Sequence, residues 1–355
     1  MNATDTERLT ETTRWLWKIC GPLIFIPRLI GNFIAMWIFI KLKITSSKAF
    51  LHLFILAVTD TSVLFTNLGR VWIKYTFDLD VRNLSDTGCK IHEFFAYTFM
   101  DFSGWILVSL SIERFISVYF PFNFRQWRTI KIAILKLVFL FLLMCAINAH
   151  ILWTYGLDIN TNKCIIINEA LRRYDKHIFI WIDMCVSSCI PFVIMFTCSV
   201  LIIHRLKNSG MVQHRYNPNT PVDRNTNNTR LLVVLAIVYI CLSLPNSIAY
   251  PVDALSGRTC SYCDAKWELA WTVTYLILFC NYAINPIIYT MQISKFNNEF
   301  RKLLCCQLIR NTHRLESPRE HSAVMSTAPS YRRRDLDLSS SDTLSTSENG
   351  REPSR

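Results

Sequence analysis

Residues 89–122 read CKIHEFFAYTFMDFSGWILVSLSIERFISVYFPF. The run is apolar and long enough to cross a hydrocarbon core, which takes about 20 helical residues. It is interrupted by Asp101, Ser103 and the adjacent pair Glu113-Arg114. An acid and a base near the end of an apolar helix are costly in lipid unless they face a polar interior or the aqueous edge. Pro121 marks a break, because proline has no amide N–H and its ring clashes with the preceding turn. Arg114 lies twenty-five residues after Cys89 and seven before Pro121.

The rest of the chain extends this pattern. Among 355 residues, 51% are hydrophobic, and they gather into runs rather than spreading through one or two soluble domains. The runs fall at 16–40, 49–71, 89–120, 130–153, 177–203, 230–252 and 267–291. The expected fold is therefore an all-α membrane protein, a bundle of seven transmembrane helices. Lys41, Lys43 and Lys48 follow the first run, Arg125, Arg128 and Lys131 the third, and Arg205, Lys207, Arg215, Arg224 and Arg230 the fifth, with Asp223 alone opposing them. Lys and Arg near span ends mark the cytoplasmic side, so the N-terminus is expected outside and the C-terminus inside. The net charge of +12 is read as these loops lying beside anionic lipid, with no nucleic-acid partner. Thirteen cysteines show no zinc-ligand spacing backed by histidines. No signal-peptide pattern opens the chain. The organisation expected is an extracellular N-terminus at 1–15, a membrane domain over 16–304 and a disordered tail over 305–355. Phe296, Phe300, Leu303 and Leu304 share one helical face, the pattern of a short amphipathic eighth helix lying in the interface. Cys305 and Cys306 follow it, a context for reversible palmitoylation. Asn2 and Asn83 open glycosylation sequons on the expected outer side, whereas Asn227 falls inside.

Near the end of the seventh run stand Asn285-Pro286-Ile287-Ile288-Tyr289; the first run holds Gly31-Asn32 and the second Leu56-Ala57-Val58-Thr59-Asp60. With Cys89, Glu113-Arg114-Phe115 and Pro121, these residues resemble the rhodopsin-like G-protein-coupled receptors. The form Ser111-Ile112-Glu113-Arg114-Phe115 and the aromatic outer halves further resemble invertebrate-type neuropeptide receptors. The likeness implies no enzymatic activity. It implies an extracellular ligand (a peptide, or alternatively a small organic molecule), a heterotrimeric G protein, receptor kinases and arrestin as partners, and a plasma-membrane location. It makes Glu113, Arg114, Phe122, Asn285, Pro286, Tyr289 and Pro245 the coupling and switch residues, with Glu113 holding Arg114 at rest. It pairs Cys89 with Cys164. Cys260 and Cys263 are open between a local ring, a link to Cys20 and free thiols.

The resemblance also implies an allosteric sodium ion held by Asp60, Ser103, Asn281 and Asn285, all oxygen donors. A satisfied polar cluster without an ion is the alternative, and Arg28, four residues before Asn32, could pair with Asp60 and displace the cation, snorkel to the surface, or meet another acceptor. The chain also departs from the family pattern. Ser243 stands where the family has a bulky Trp, Leu242 where it has Cys, Ser199 where it often has a helix-five Tyr, and Phe141 near the place of the helix-four Trp. Ala96 occupies the place of the amine receptors' Asp, which argues against a monoamine held in that way. Ligand contacts are expected at Asp101, Asp183, Ala96, His150 and Glu93. Asp101 and Asp183 would share one cavity and repel unless a cation joins them, supplied either by His150 or by a basic group of the ligand. A transporter or channel is disfavoured, because no internal repeat or continuous polar lining is present.

Overall fold

The computed structural model describes residues 3–120, 129–216, 224–255 and 260–303. Seven helices in them are long and apolar enough to cross a membrane. We label these α1 (Thr4–Lys41), α2 (Lys48–Phe77), α3 (Asp86–Tyr119), α4 (Ile130–Thr154), α5 (Glu169–Arg205), α6 (Val233–Val252) and α7 (Ser261–Met291). An eighth helix, α8, covers residues 294–303. The fold is a seven-helix bundle. Large apolar side chains such as Trp37, Leu135, Phe139, Val193 and Phe196 are exposed around it. An apolar surface of that extent marks contact with lipid.

The helices run longer than the apolar runs. α1 reaches back into the polar N-terminal segment, where Thr10, Thr12 and Thr13 hydroxyls donate to carbonyls four residues earlier. Trp17 is fully buried and donates from Nε1 to Thr272 Oγ1 at 3.1 Å, tying α1 to α7. Gly31 makes α1 and α7 fit closely: a Cβ there would stand 3.0 Å from Pro286 Cγ. α2 contains a wide π-type turn at Leu64–Gly69, and α5 contains two, at Asp175–Phe179 and Cys185–Cys189. Such turns recur at functional sites.

One element was not legible beforehand, a two-stranded antiparallel hairpin of β1 (Tyr155–Leu157) and β2 (Cys164–Ile166), with Gly156 opposite Ile165. It lies over the start of α3. Asp86 Oδ1 accepts from Leu157 N at 2.9 Å, and the Cys89–Cys164 disulfide joins the first turn of α3 to β2. Gly156 suits the close packing here, since a Cβ there would stand 2.7 Å from Ile167 Cγ2 and 3.0 Å from Asp86 Oδ1. At the opposite end, α8 seats Phe296 against Phe39 and Tyr289, with ring centroids 5.3 and 5.8 Å apart. Lys41 pairs with Glu299 at 2.7 Å.

Candidate functional site

A cavity of about 250 Å³ opens beneath the hairpin, between α2, α3, α5, α6 and α7. Glu93, Ala96 and Asp101 of α3, Asp183 of α5, and Tyr250 and Asn246 of α6 line it. Asp101 is buried and accepts from Asn148 Nδ2 at 2.8 Å. Asp183 has no hydrogen bond or ion pair among the described residues. Asn246 Oδ1 is buried and has no hydrogen-bond partner among the described residues. The arrangement thus offers two carboxylates and an amide oxygen to whatever enters, and among the described residues no cation pairs with either carboxylate.

His150 does not supply that cation. Its Nδ1 faces the Ile147 carbonyl at 3.2 Å, and its ring packs on Phe179 with centroids 4.1 Å apart. The turn after Asn148 points it away, and the partner Asp101 finds is the neutral Asn148. Glu93 is engaged as well. Arg82 bridges it to Asp80, which Arg70 also meets at 3.3 Å. Burial alone would raise the Asp80 carboxyl, but hydrogen bonds from Arg82 and the charges of Arg82 and Arg70 outweigh it and hold the pKa near about 2. The mouth of the cavity is therefore an internally paired cluster, and its floor is acidic.

At the end away from the hairpin, Glu113 takes a different partner from the one expected. Its carboxylate pairs with Lys136 of α4, and stands 3.8 Å from His52 Nε2. His52 is fully buried, with Nδ1 2.8 Å from the Lys48 carbonyl and Nε2 3.2 Å from Ser109 Oγ. Lys136 lies inside an apolar run, and a lone base at that depth was the signal that it needs an acid. Tyr119, one turn beyond Phe115, donates to the Leu201 carbonyl at 3.0 Å and joins α3 to α5. Tyr289 is buried between Phe39 and Phe296, and its hydroxyl has no partner among the described residues.

Residues 31–289 match the family model described as the 7 transmembrane receptor (rhodopsin family). The chain belongs to that family. Among its relatives is the uracil nucleotide/cysteinyl leukotriene receptor of Homo sapiens, 25% identical over 286 residues, covering 80% of this chain and 75% of that one. The proteinase-activated receptor 1 of Xenopus laevis is 24% identical over 323 residues (87% and 72% covered). The lysophosphatidic acid receptor 4 of Homo sapiens is 23% identical over 289 residues (78% and 74% covered). None of these three is named for a neuropeptide, so the finer likeness read at residues 111–115 gains no support from them.

In this rhodopsin-family bundle the Asp60 cluster forms with two of its three expected companions. Ser103 Oγ donates to Asp60 Oδ1 at 2.7 Å, and Asn285 Nδ2 donates to Oδ2 at 2.8 Å. Each carboxylate oxygen already accepts a hydrogen. Asn281 is buried but is not among the partners of Asp60. Arg28 does not snorkel; it is 1% exposed, and its Nη2 donates to the Asp60 main-chain carbonyl at 2.9 Å.

Ser243, where the family pattern has Trp, is buried. Tyr239, one turn before Ser243, is buried with its hydroxyl in the notch left by Gly104 of α3, and donates to the Ser187 carbonyl at 3.3 Å. Ser187 belongs to the second wide turn of α5. The neighbouring Ser188 bonds Ser247 of α6 at 2.6 Å. Two hydrogen bonds therefore latch α6 to that turn beside the cavity. The signal in the sequence was Gly104, a small residue in the middle of an otherwise bulky helix.

Cys260 pairs with Cys263 at the start of α7. Asn83 has a structural task, since its Oδ1 accepts from Cys164 N at 2.9 Å. Ser85 of the same sequon caps α3 by accepting from Gly88 N at 3.0 Å. Phe122, Asn2, Cys305, Cys306 and the serines at 339–347 lie outside the described residues.

Proposed function

We propose that the chain is a plasma-membrane receptor, N-terminus outside, whose cavity binds a small extracellular ligand through a basic group and passes that signal to a heterotrimeric G protein. The observation that carries the reading is the pair Asp101 and Asp183, lining one cavity with no cation between them among the described residues. An incoming ammonium or guanidinium supplies the charge the site lacks, whereas an acidic ligand meets Asp101, Asp183 and Glu93. The cavity volume suits a small molecule or the end of a short peptide. The G protein would engage the end carrying Arg114, Tyr289 and Phe122, with Pro245 and Pro286 as the points where α6 and α7 bend. Receptor kinases and arrestin would act on the 305–355 tail, palmitate on Cys305 and Cys306, and glycans on Asn2 and Asn83.

The test is ligand-dependent nucleotide exchange on G proteins, screened with amines, short basic peptides, nucleotides and lysophospholipids. The agonist should carry a basic group, and Asp183→Asn should lower its potency by about 100-fold or more at equal surface expression, because a buried charge stripped of its partner costs about 3–5 kcal/mol. A second reading rests on Arg70 and Arg82, which also line the cavity, and on relatives named for a uracil nucleotide and for lysophosphatidic acid. An acidic agonist whose potency falls with Arg82→Gln and not with Asp183→Asn would establish that reading in place of the first.

A further inference from the structure

The family resemblance implies a sodium ion beside the α2 aspartate, Asp60. Here that compartment contains a positive charge of its own. Arg28 projects from α1 immediately after Pro27, is 1% exposed, and reaches the Asp60 main-chain carbonyl at 2.9 Å. Its guanidinium carbon lies 5.9 Å from the Phe279 ring centroid, so an aromatic face covers it from α7. It therefore shares one buried compartment with the Asp60 carboxylate. The carboxylate also accepts from Ser103 and Asn285. One buried negative charge thus faces one buried positive charge. A sodium ion entering the same compartment would leave it with a net positive charge in a medium of low dielectric, where charges are poorly screened.

We propose that Arg28 is the built-in counter-cation of Asp60 and makes this receptor indifferent to sodium. The charge that other members take from solution is here covalently attached to α1, so it cannot leave when the bundle changes conformation. Ionic regulation at this site is replaced by a fixed link between α1 and α2. The inference is independent of which ligand the cavity takes.

The experiment needs no ligand. The full chain in detergent is unfolded thermally in sodium chloride and in choline chloride at equal ionic strength. The midpoint should be the same in both salts. A sodium-specific rise that saturates would overturn the proposal. Arg28→Met should create the missing response, a midpoint that climbs with sodium and levels off while choline has no effect. If Arg28→Met folds and remains unresponsive, Arg28 is not what excludes the ion, and the proposal fails. Should that variant not fold, the charge pair is tested from the other side. Asp60→Asn strands a buried guanidinium and should lower the midpoint, and adding Arg28→Met should recover part of the loss. A double variant no more stable than Asp60→Asn alone would also overturn it.

Discussion

Gly104→Ala offers the sharpest test of how α6 is held. A Cβ at residue 104 would stand 2.6 Å from Tyr239 Oη and 3.4 Å from Cζ. Comfortable contact needs about 3.5 Å, so the hydroxyl must withdraw by roughly 1 Å. Tyr239 has little room to do so, being buried, with its ring against Phe192 at 5.9 Å between centroids. Withdrawal also breaks the hydrogen bond to Ser187, already 3.3 Å long. Overpacking of this kind costs about 1–3 kcal/mol, and the lost hydrogen bond adds about 1 kcal/mol. For a domain of this size the unfolding midpoint should fall by roughly 2–10 °C. The informative comparison is Gly104→Ala combined with Tyr239→Phe. Removing the hydroxyl leaves the ring carbon at 3.4 Å as the nearest atom, an ordinary contact. The double variant should therefore be more stable than Gly104→Ala, despite carrying two changes. Thermal unfolding of the three variants in detergent reads this directly. A double variant as unstable as the single one, or a Gly104→Ala protein indistinguishable from the parent, would refute the notch-and-hydroxyl reasoning.

Three other outcomes are expected. Asp80 has a folded-state pKa lowered to about 2 against an unfolded value of about 3.9, so its stabilisation is complete above about pH 4 and is lost as pH falls towards 2. Unfolding midpoints between pH 5 and 3 should drop less in Asp80→Asn than in the parent. Arg114→Ala should abolish agonist-stimulated nucleotide exchange at unchanged surface expression; full retention would remove Arg114 from the coupling role. Truncation after Gln307 should slow agonist-driven internalisation, since phosphates on the serines at 339–347 would be lost as docking charge for a basic partner.

The bundle was legible because lipid imposes a simple rule, that a span needs about twenty apolar residues in a row. The helix ends were not, because beyond the lipid that rule is silent; capping and tertiary contact decide instead, as where Thr13 is buried in the extended α1. Some motif residues were legible as partners, Cys89 with Cys164 and Asp60 with Ser103 and Asn285; others were legible only as types. Glu113 beside Arg114 suggests a neighbourly contact, yet adjacent helical residues point about 100° apart, and Glu113 is taken by Lys136 from another helix. The same holds for Asp101, which finds Asn148 rather than His150. Spacing along one chain segment fixes depth in the membrane; it does not fix which of two neighbours at that depth turns inward.

The wide turns of α5 bear on this last point. Each residue of an α-helix advances the face by about 100°, so a turn that absorbs one additional residue shifts everything beyond it by about that angle. Ile180–Met184, the segment carrying Asp183, lies between two such turns. Its phase is therefore set independently of the helix on either side. Deleting one residue from Cys185–Cys189 would swing Asp183 out of the cavity towards a neighbouring helix or the lipid, with no acidic residue gained or lost. Changes of ligand class in such a receptor can thus arise from a one-residue change in length, and a comparison that scores only substitutions would not see them.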